Sequence, residues 1–436
     1  MIPRPPAVGL DFGTTNSSIA CVRPGGEVEL VRFPSLAGPT ASYRSLLYME
    51  QSRDDEGRLK ILCWTGPDGI ERYLAADHKG RLVQSLKSYL SSQSLKSTDV
   101  FGRRRTLESL IAEMLRDLRI KAEAQLGVPV RSAVVGRPVH FVGADSAAED
   151  ETAETRLRES FLLAGYEDVS FEMEPVAAAF YYESTLDHDE LILIGDFGGG
   201  TSDFSLVRVG PEVRARGRRP EDLLGNAGVG IAGDDFDAKL IRHLVSPALG
   251  DGTEIRSMDK TLTVPTWPYR SLERWHHLSL LKRPDVLTML ANVRAHAKEP
   301  EKIDNFLDLI EEELGYPLHR AVQSVKSELS GGDSARFQFS CGRVVLDSTV
   351  ARADFEAWIA DELARIEGCV DGLLRASSVA AGDVDRVFLT GGTSFVPAVR
   401  RIFESRFGAE RIRAGDEFTS VAQGLALRAA RDRERG

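Results

Sequence analysis

The residues with the plainest chemical potential occur twice. "VGLDFGTTNSS" begins at Val8 and "LILIGDFGGGTSD" at Leu191, and their shared Asp-Phe-Gly, at Asp11–Gly13 and Asp196–Gly198, recurs after 185 residues. Each copy sets an aspartate at the end of an apolar run and follows it with glycines and hydroxyls. An apolar strand holds its end rigid, and glycines let backbone amides approach an oxyanion closely. Such amides, with threonine hydroxyls, make a pocket for phosphate. A strand-end carboxylate suits a hard cation, usually through water in the case of Mg²⁺. Two such turns facing each other would grip a Mg–polyphosphate from both sides. One Asp-x-Gly-Thr-Thr can be no more than a hairpin turn, but two copies, each after an apolar strand, are much harder to assign to chance.

The elements that must position these residues can be read along the chain. Val8–Leu10 and Ser17–Val22 flank the first turn as strands of a hairpin, and Leu191–Ile194 and Asp203–Val209 flank the second. One supersecondary unit is thus duplicated, one copy per half. Arg44–Met49, Leu59–Trp64 and Arg72–Leu74 read as short strands separated by the turns "DDEGR" and "GPDG". Leu107, Leu110, Ile111, Met114, Leu115 and Leu118 follow the spacing of one buried helical face and predict a helix over Thr106–Leu126, with Thr106 as N-cap. Ala133–Val135 reads as a buried strand and Ala153–Ala164 as a helix. Pro175–Glu183 reads as a short helix with proline at its first position, where the missing N–H is harmless. Gly225–Gly233 is expected to be a glycine-rich loop before a helix that starts at Asp234 or Asp235. Leu272–Leu329 reads as mostly helical, Val387–Thr390 as a buried strand ending in Gly391-Gly392, and Ser420–Arg431 as the closing helix.

Composition bounds the remaining possibilities. The 436 residues suffice for two to four domains or subdomains, and 42% hydrophobic with 28% charged residues fits an ordinary globular protein. A net charge of −11 disfavours nucleic acid and anionic membranes as partners. The basic runs Arg103–Arg105 and Arg214–Arg219 read as solvated loops. Cys21, Cys63, Cys341 and Cys369 lie far apart, which points to a reducing cytoplasm. "MIPRPPAVGL" does not read as a signal peptide, and no run approaches the ~18–20 apolar residues of a membrane span. No G-x-x-x-x-G-K-[ST], H-R-D, V-A-I-K or G-x-S-x-G appears, which argues against a P-loop, a protein kinase and a serine hydrolase. "GNAGVGIAG" is a poor dinucleotide fingerprint because no apolar strand leads into it. In Trp275-His276-His277, adjacent residues on a helix point about 100° apart, so an amphipathic surface is favoured over a zinc site. Asp308–Gly315 reads as a solvated helical face.

"GLDFGTTNS", "GDFGGGTSDFS", "EPVAAAF", "AGDDFD" and "TGGTSFVP" stand in the order and spacing of the actin-like ATPases. The chain most resembles the ATPase domain of the 70-kDa heat-shock chaperones, from Val8 to about Ala430. "GRPVHF" and "YRSLERWHHLSLL" resemble the short bacterial chaperone-like branch without a peptide-binding domain. The resemblance implies an α/β fold of two lobes, each a ribonuclease-H-like domain with an inserted subdomain, closing on ATP. Lobe I would be 1–190 with an insert at about 36–105, joined by the C-terminal helix 416–436. Lobe II would be 191–415, with an insert at about 232–340. ATP/ADP and Mg²⁺ are the implied cofactors. Asp11 and Asp196 would hold magnesium through water, and Gly13, Thr14, Thr15, Asn16, Gly198, Gly199, Gly200 and Thr201 would cradle phosphate. Lys87, in "SLKSYL", resembles the lysine that reaches the phosphates and the attacking water, where an ammonium offsets developing charge. Read without the family, Lys87 would be a surface lysine. Glu174 resembles the glutamate that orders water around magnesium, its plainer reading being a helix-end acid favoured by the dipole. Asp203 resembles a second carboxylate near the attacking water.

Gln323, Lys326 and Ser330 share one helix face and resemble the nucleoside-contacting helix, with Gln323 where a glutamate is usual. Gly233 belongs to "AGDDFD", in which Ala232 replaces a family glycine. Gly391 and Gly392 match the turn beneath the nucleoside. Phe395 stands where the family stacks an arginine on adenine, a task an aromatic ring can also perform. Pro138 matches the family's switch proline and Arg156 its relay arginine, which couple nucleotide state to peptide release in full-length chaperones. No peptide-binding domain of its own is expected in this chain. The implied function is that of a slow, Mg-dependent ATPase and molecular chaperone, a monomer whose lobe closure acts on an unknown protein client or co-chaperone. Three alternatives stand beside it: a nucleotide-gated binding module with negligible hydrolysis, a sugar or metabolite kinase of the same superfamily, and a filament-forming actin-like protein.

Overall fold

Val8, Leu10 and Phe12 are buried at every second position of the strand β1 (Ala7–Phe12), and this period is what a strand with a covered face requires. β1 pairs antiparallel with β2 (Asn16–Val22), Leu10 opposite Ile19, and β2 pairs with β3 (Val28–Leu30) and, at its start, with β4 (Tyr43–Arg44). On its other side β1 runs parallel to β5 (Ser132–Arg137), which runs parallel to β6 (Asp168–Met173), giving the order β6-β5-β1-β2-β3. A second sheet contains β7 (Glu190–Phe197), β8 (Ser202–Val209), β9 (Leu223–Val229), β10 (Arg386–Thr390) and β11 (Ile412–Ala414) in the order β9-β8-β7-β10-β11. Its parallel and antiparallel pairings repeat those of the first sheet strand for strand. The sequence repeat is therefore a repeat of topology, with Asp11 on β1 matched by Asp196 on β7.

The structure, a computed structural model, describes residues 7–35, 38–76, 80–144, 146–183, 186–217, 219–257, 260–274, 281–414 and 420–435. It divides into a first compact unit of residues 1–232, 365–394 and 400–436 and a second of 233–364 and 395–399. Both sheets lie in the first unit. So do α1 (Leu107–Leu126), α2 (Ala147–Leu163), α3 (Glu174–Glu183) and α4 (Ser420–Arg435). Thr106 caps α1 by accepting from the Ser109 amide, and the six apolar residues of the predicted face are all buried.

α3 and α4 exchange partners between the sheets. α3 follows the last strand of the first sheet yet packs on β7 and β8; α4 follows the last strand of the second yet lies across β1 and β2. One apolar cluster results, with Val134 of β5, Ala177–Ala179 of α3, Ile192 and Ile194 of β7, Val207 of β8, and Val421 and Leu425 of α4. Small residues set the closeness of the crossing. Ala20, Ala422 and Ala426 pack together, and a Cβ on Gly9 would fall 2.1 Å from the Ala426 amide nitrogen and 2.3 Å from the Ala422 carbonyl oxygen.

Several local expectations are corrected: Arg103–Arg105, expected as a loop, lies in the strand Arg103–Thr106, and Arg214–Arg216 belong to the helix Pro211–Arg216. Arg72–Leu74 is not a strand but part of the helix Gly66–Ala75, whose first turn is the "GPDG" read as a loop, with proline in the position a helix start accepts. Gly225–Gly233 is largely strand β9, not loop. In the second unit the helices Pro284–His296, Pro300–Glu311 and Gly315–Gly331 bear out the helical reading of that stretch. They precede an unanticipated hairpin, Ser334–Cys341 with Val344–Ala351, in which Ala335, Phe337 and Phe339 are buried in strict alternation. Trp275-His276-His277 lies outside the described residues. Among the described residues no helix is long and apolar enough to cross a membrane.

Gly9→Ala drives a methyl group into the backbone of α4, where nothing can yield without moving the helix. Urea unfolding is expected to show a loss of about 2–3 kcal/mol, the range of overpacking in a rigid core. Unchanged stability would mean that α4 does not lie on β1.

Candidate active site

Lys87 is only 7% exposed, and its ammonium donates to Glu174 Oε1 at 2.6 Å. The lysine sits on a turn of 3₁₀ helix, Leu86–Tyr89, that follows the strand Arg81–Gln84. Ser85, between them, adopts φ 56°, the left-handed region that a non-glycine residue enters only when its surroundings hold it there. Leu86 and Leu90 anchor the turn in the core on either side of Lys87. Beyond it, Arg156 on α2 pairs with Glu108 and donates to the carbonyls of Leu90, Ser92 and Leu95 at 3.0–3.1 Å. Glu174, the first residue of α3, has room because β5 carries glycine beside it: a Cβ on Gly136 would come 3.0 Å from Glu174 Cγ.

Three aspartates share the field of this pair: Asp11 on β1, Asp196 on β7 and Asp203 on β8. Burial raises the pKa of each, and the Glu174 charge raises it further. Asp11 and Asp203 are held well above the usual carboxylate range. For Asp11 only Lys87 opposes the rise; for Asp203 the Thr201 hydroxyl and Lys87 do. Asp196 is pushed up to about 6, against the Thr390 hydroxyl, which donates to Oδ1 at 2.7 Å, and against Lys87. Asp203 Oδ1 also accepts from the Val139 amide at 3.2 Å. For Lys87, burial opposes the charged form, but Glu174 and Asp11 outweigh it, so its pKa lies above the ordinary lysine value.

Four carboxyl groups around one ammonium leave a surplus of negative charge that a cation would relieve. The oxygen donors suit a hard ion such as Mg²⁺. Among the described residues no three His, Cys, Asp or Glu side chains come close enough to hold a metal by themselves.

The two motif turns carry the features a phosphate cradle needs. The Gly198 amide donates to the Thr201 carbonyl at 2.9 Å, closing the second turn. A Cβ on Gly13 would strike the Asn16 carbonyl oxygen at 2.1 Å. One on Gly200 would lie 3.1 Å from Val142 Cγ2 and 3.9 Å from Ser88 Oγ, so this turn sits against the segment that carries Lys87. Thr14 and Thr15 are half-buried, and Asn16 Oδ1 accepts from Arg44 at 3.2 Å. Gly391, at the end of β10, has φ +85°, and a Cβ there would meet the Phe197 carbonyl oxygen at 2.0 Å. Gly392 opens the following 3₁₀ turn.

The other expected nucleoside residues belong to the second unit. Gly233 opens the helix Gly233–Leu240, and its carbonyl accepts from Lys326 at 3.1 Å; Lys326 also pairs with Asp237 at 2.7 Å. Gln323 and Ser330 lie on the same helix as Lys326, the Ser330 hydroxyl donating to the Lys326 carbonyl at 3.0 Å. Phe395 is 52% exposed. The structure thus gathers Asp11, Lys87, Glu174, Asp196 and Asp203 in one place. It adds residues that sequence reading passed over: Gly136, Thr390, and the His140–Asp150 pair. Thr390 could have been found, since it opens "TGGTSFVP", but as a hydroxyl at a strand end it has no signature of its own.

Against known families, the sequence matches the one described as Hsp70 protein over residues 81–262 and 289–431. The chain belongs to the Hsp70 family. Its fold is the two-lobed actin-like ATPase fold, and family membership makes this Hsp70 chain a nucleotide-binding, chaperone-type ATPase.

The raised carboxyl groups give this Hsp70 site a pH signature. Asp196 binds its proton more tightly folded, near 6, than at its ordinary value of 3.8, so its burial destabilises the fold progressively as pH rises through that window. Asp196→Asn is expected to be more stable than wild type at pH 7.5 by about 1–2 kcal/mol, allowing for partial exposure, with the gain shrinking toward pH 5. Paired urea titrations at the two pH values check this; a gain independent of pH would remove the electrostatic explanation.

Proposed function

We propose that the chain is a slow, Mg-dependent ATP hydrolase whose nucleotide state controls a protein partner. The carrying observation is the buried Lys87–Glu174 pair, 2.6 Å apart, in the field of Asp11, Asp196 and Asp203. Mg·ATP, when bound, supplies the electrophilic γ-phosphorus and the cation that balances the carboxylates. The amides and hydroxyls of Gly13–Asn16 and Gly198–Thr201 bind phosphate oxygens. Asp11 and Asp196 would hold the ion through water, and Glu174, which fixes Lys87, would order that water. Lys87 offsets negative charge as water attacks the γ-phosphorus in line and the bond to the β–γ bridging oxygen breaks. Asp203 orients the attacking water. Gly233, Gln323, Lys326, Ser330, Gly391, Gly392 and Phe395 form the nucleoside side in this proposal, with Phe395 stacking on the base.

Lobes 1–190 and 191–415 would close on the nucleotide and transmit its state to a protein client or co-chaperone. A monomer working in the cytoplasm belongs to the same proposal.

Radiolabelled ATP turnover tests it. Lys87→Ala is expected to lose roughly 10²-fold or more in turnover, the scale of removing one charge-stabilising donor. Calorimetric affinity for Mg·ATP should change far less, and chelating the magnesium should abolish turnover. Equal rates in wild type and variant would end the role of Lys87. ATP binding by wild type with phosphate release at background would leave a nucleotide-gated binding module in place of an enzyme.

A further inference from the structure

His140 and Asp150 form a pair that the mechanism above does not use. Asp150, in the first turn of α2, is 8% exposed, and its two oxygens are both committed. Oδ1 accepts from the Phe141 amide at 2.7 Å, and Oδ2 lies 2.6 Å from His140 Nδ1. A carboxylate bonded to Nδ1 holds the proton on that nitrogen and leaves the Nε2 lone pair available. The His140 side chain is 59% exposed, so Nε2 can exchange protons with solvent. One residue earlier, the Val139 amide donates to Asp203 at 3.2 Å, which ties this stretch to the carboxylate expected to orient water.

Gly228 on β9 locates the contact between the two groups. A Cβ there would lie 2.6 Å from Asp203 Oδ1 and 3.7 Å from His140 Cδ2, the ring carbon bonded to Nε2. The two groups therefore both border Gly228, which has no side chain to part them. Arg137, a cation on the same stretch, pairs with Glu154 at 2.7 Å and not with the Asp150 carboxylate.

We propose that His140, backed by Asp150, accepts the proton of the water that Asp203 orients. The inference rests on the hydrolytic reading above. As the water oxygen bonds to the γ-phosphorus, the bond from that phosphorus to the β–γ bridging oxygen breaks and its electron pair leaves with ADP. The water proton passes to His140 Nε2, giving an imidazolium held by Asp150, and from there to solvent. No oxidant or further co-reactant is needed.

Chemical rescue tests this, because a free base can take the place of a proton acceptor. His140→Gly is expected to lose roughly 10²-fold in ATP turnover, the scale of a general base, with calorimetric Mg·ATP affinity within about threefold of wild type. Added imidazole should restore turnover along a saturating curve in His140→Gly and leave Lys87→Ala unchanged. Wild-type turnover in His140→Gly overturns the proposal, as does a loss that imidazole does not repair while nucleotide still binds. If His140→Gly does not fold, His140→Gln is measured instead, and turnover equal to wild type overturns the proposal. If wild type binds ATP but releases no phosphate, the hydrolytic reading falls and this inference with it. Wild-type turnover beside an unrescued variant removes the dyad alone.

Discussion

The ion pair between Lys87 and Glu174 is the constraint around which the first unit is arranged. Removing an ammonium and a carboxylate from water is expensive, and their attraction repays it only with close geometry and further partners. The 2.6 Å contact meets the first condition, and the aspartates on β1, β7 and β8 meet the second. Each supporting feature serves that placement. Ser85 turns the chain in a conformation serine would not choose, Arg156 fastens the carbonyls beyond the lysine, and Gly136 leaves room for the glutamate. The cluster is still not neutral. Carboxyl groups raised by burial and by one another lower the stability of the ligand-free protein, an expense typical of sites shaped for binding.

Those groups meet because the fold is a doubled one. Each sheet sends a hairpin ending in Asp-Phe-Gly toward the same place, and neither sheet alone assembles more than part of the cluster. Asp11 and Glu174 come from the first sheet and the helix that follows it, Asp196 and Asp203 from the second. The exchange of α3 and α4 fixes the sheets to each other through the shared apolar cluster of Val134, Ile192, Val207 and Leu425. A rigid scaffold of this kind is what allows side chains more than 180 positions apart, such as Asp11 and Asp196, to sense one another's charge.

Much of this was legible before any coordinates. The repeated motif marked two hairpins because apolar runs ending in Asp and Gly have few other uses, and Thr106 with its spaced leucines marked α1. The misses have physical causes. Glycines in β9 suggested a loop, yet they are there because other groups press on the strand: a Cβ on Gly225 would strike Ser377 Oγ at 2.3 Å, and one on Gly228 would strike Asp203. Arg72–Leu74 looked like a strand because Tyr73 favours extended chain, but Pro67 starts a helix and Tyr73 packs edge-on against Tyr48. The burial of Lys87 had no local signal at all. Only the resemblance pointed to it, since its partners come from residues 11, 174 and 196, and composition near a lysine does not reveal such distant company.

The position of α4 has a consequence for how the chain matures. This helix spans 420–435 and covers Gly9 on the first strand of the chain. Translation delivers β1 early and α4 hundreds of residues later, at about 5–20 residues per second. Through that interval the first sheet has a bare apolar face on the emerging polypeptide. That face stays uncovered until α4 has been made and has docked on Gly9.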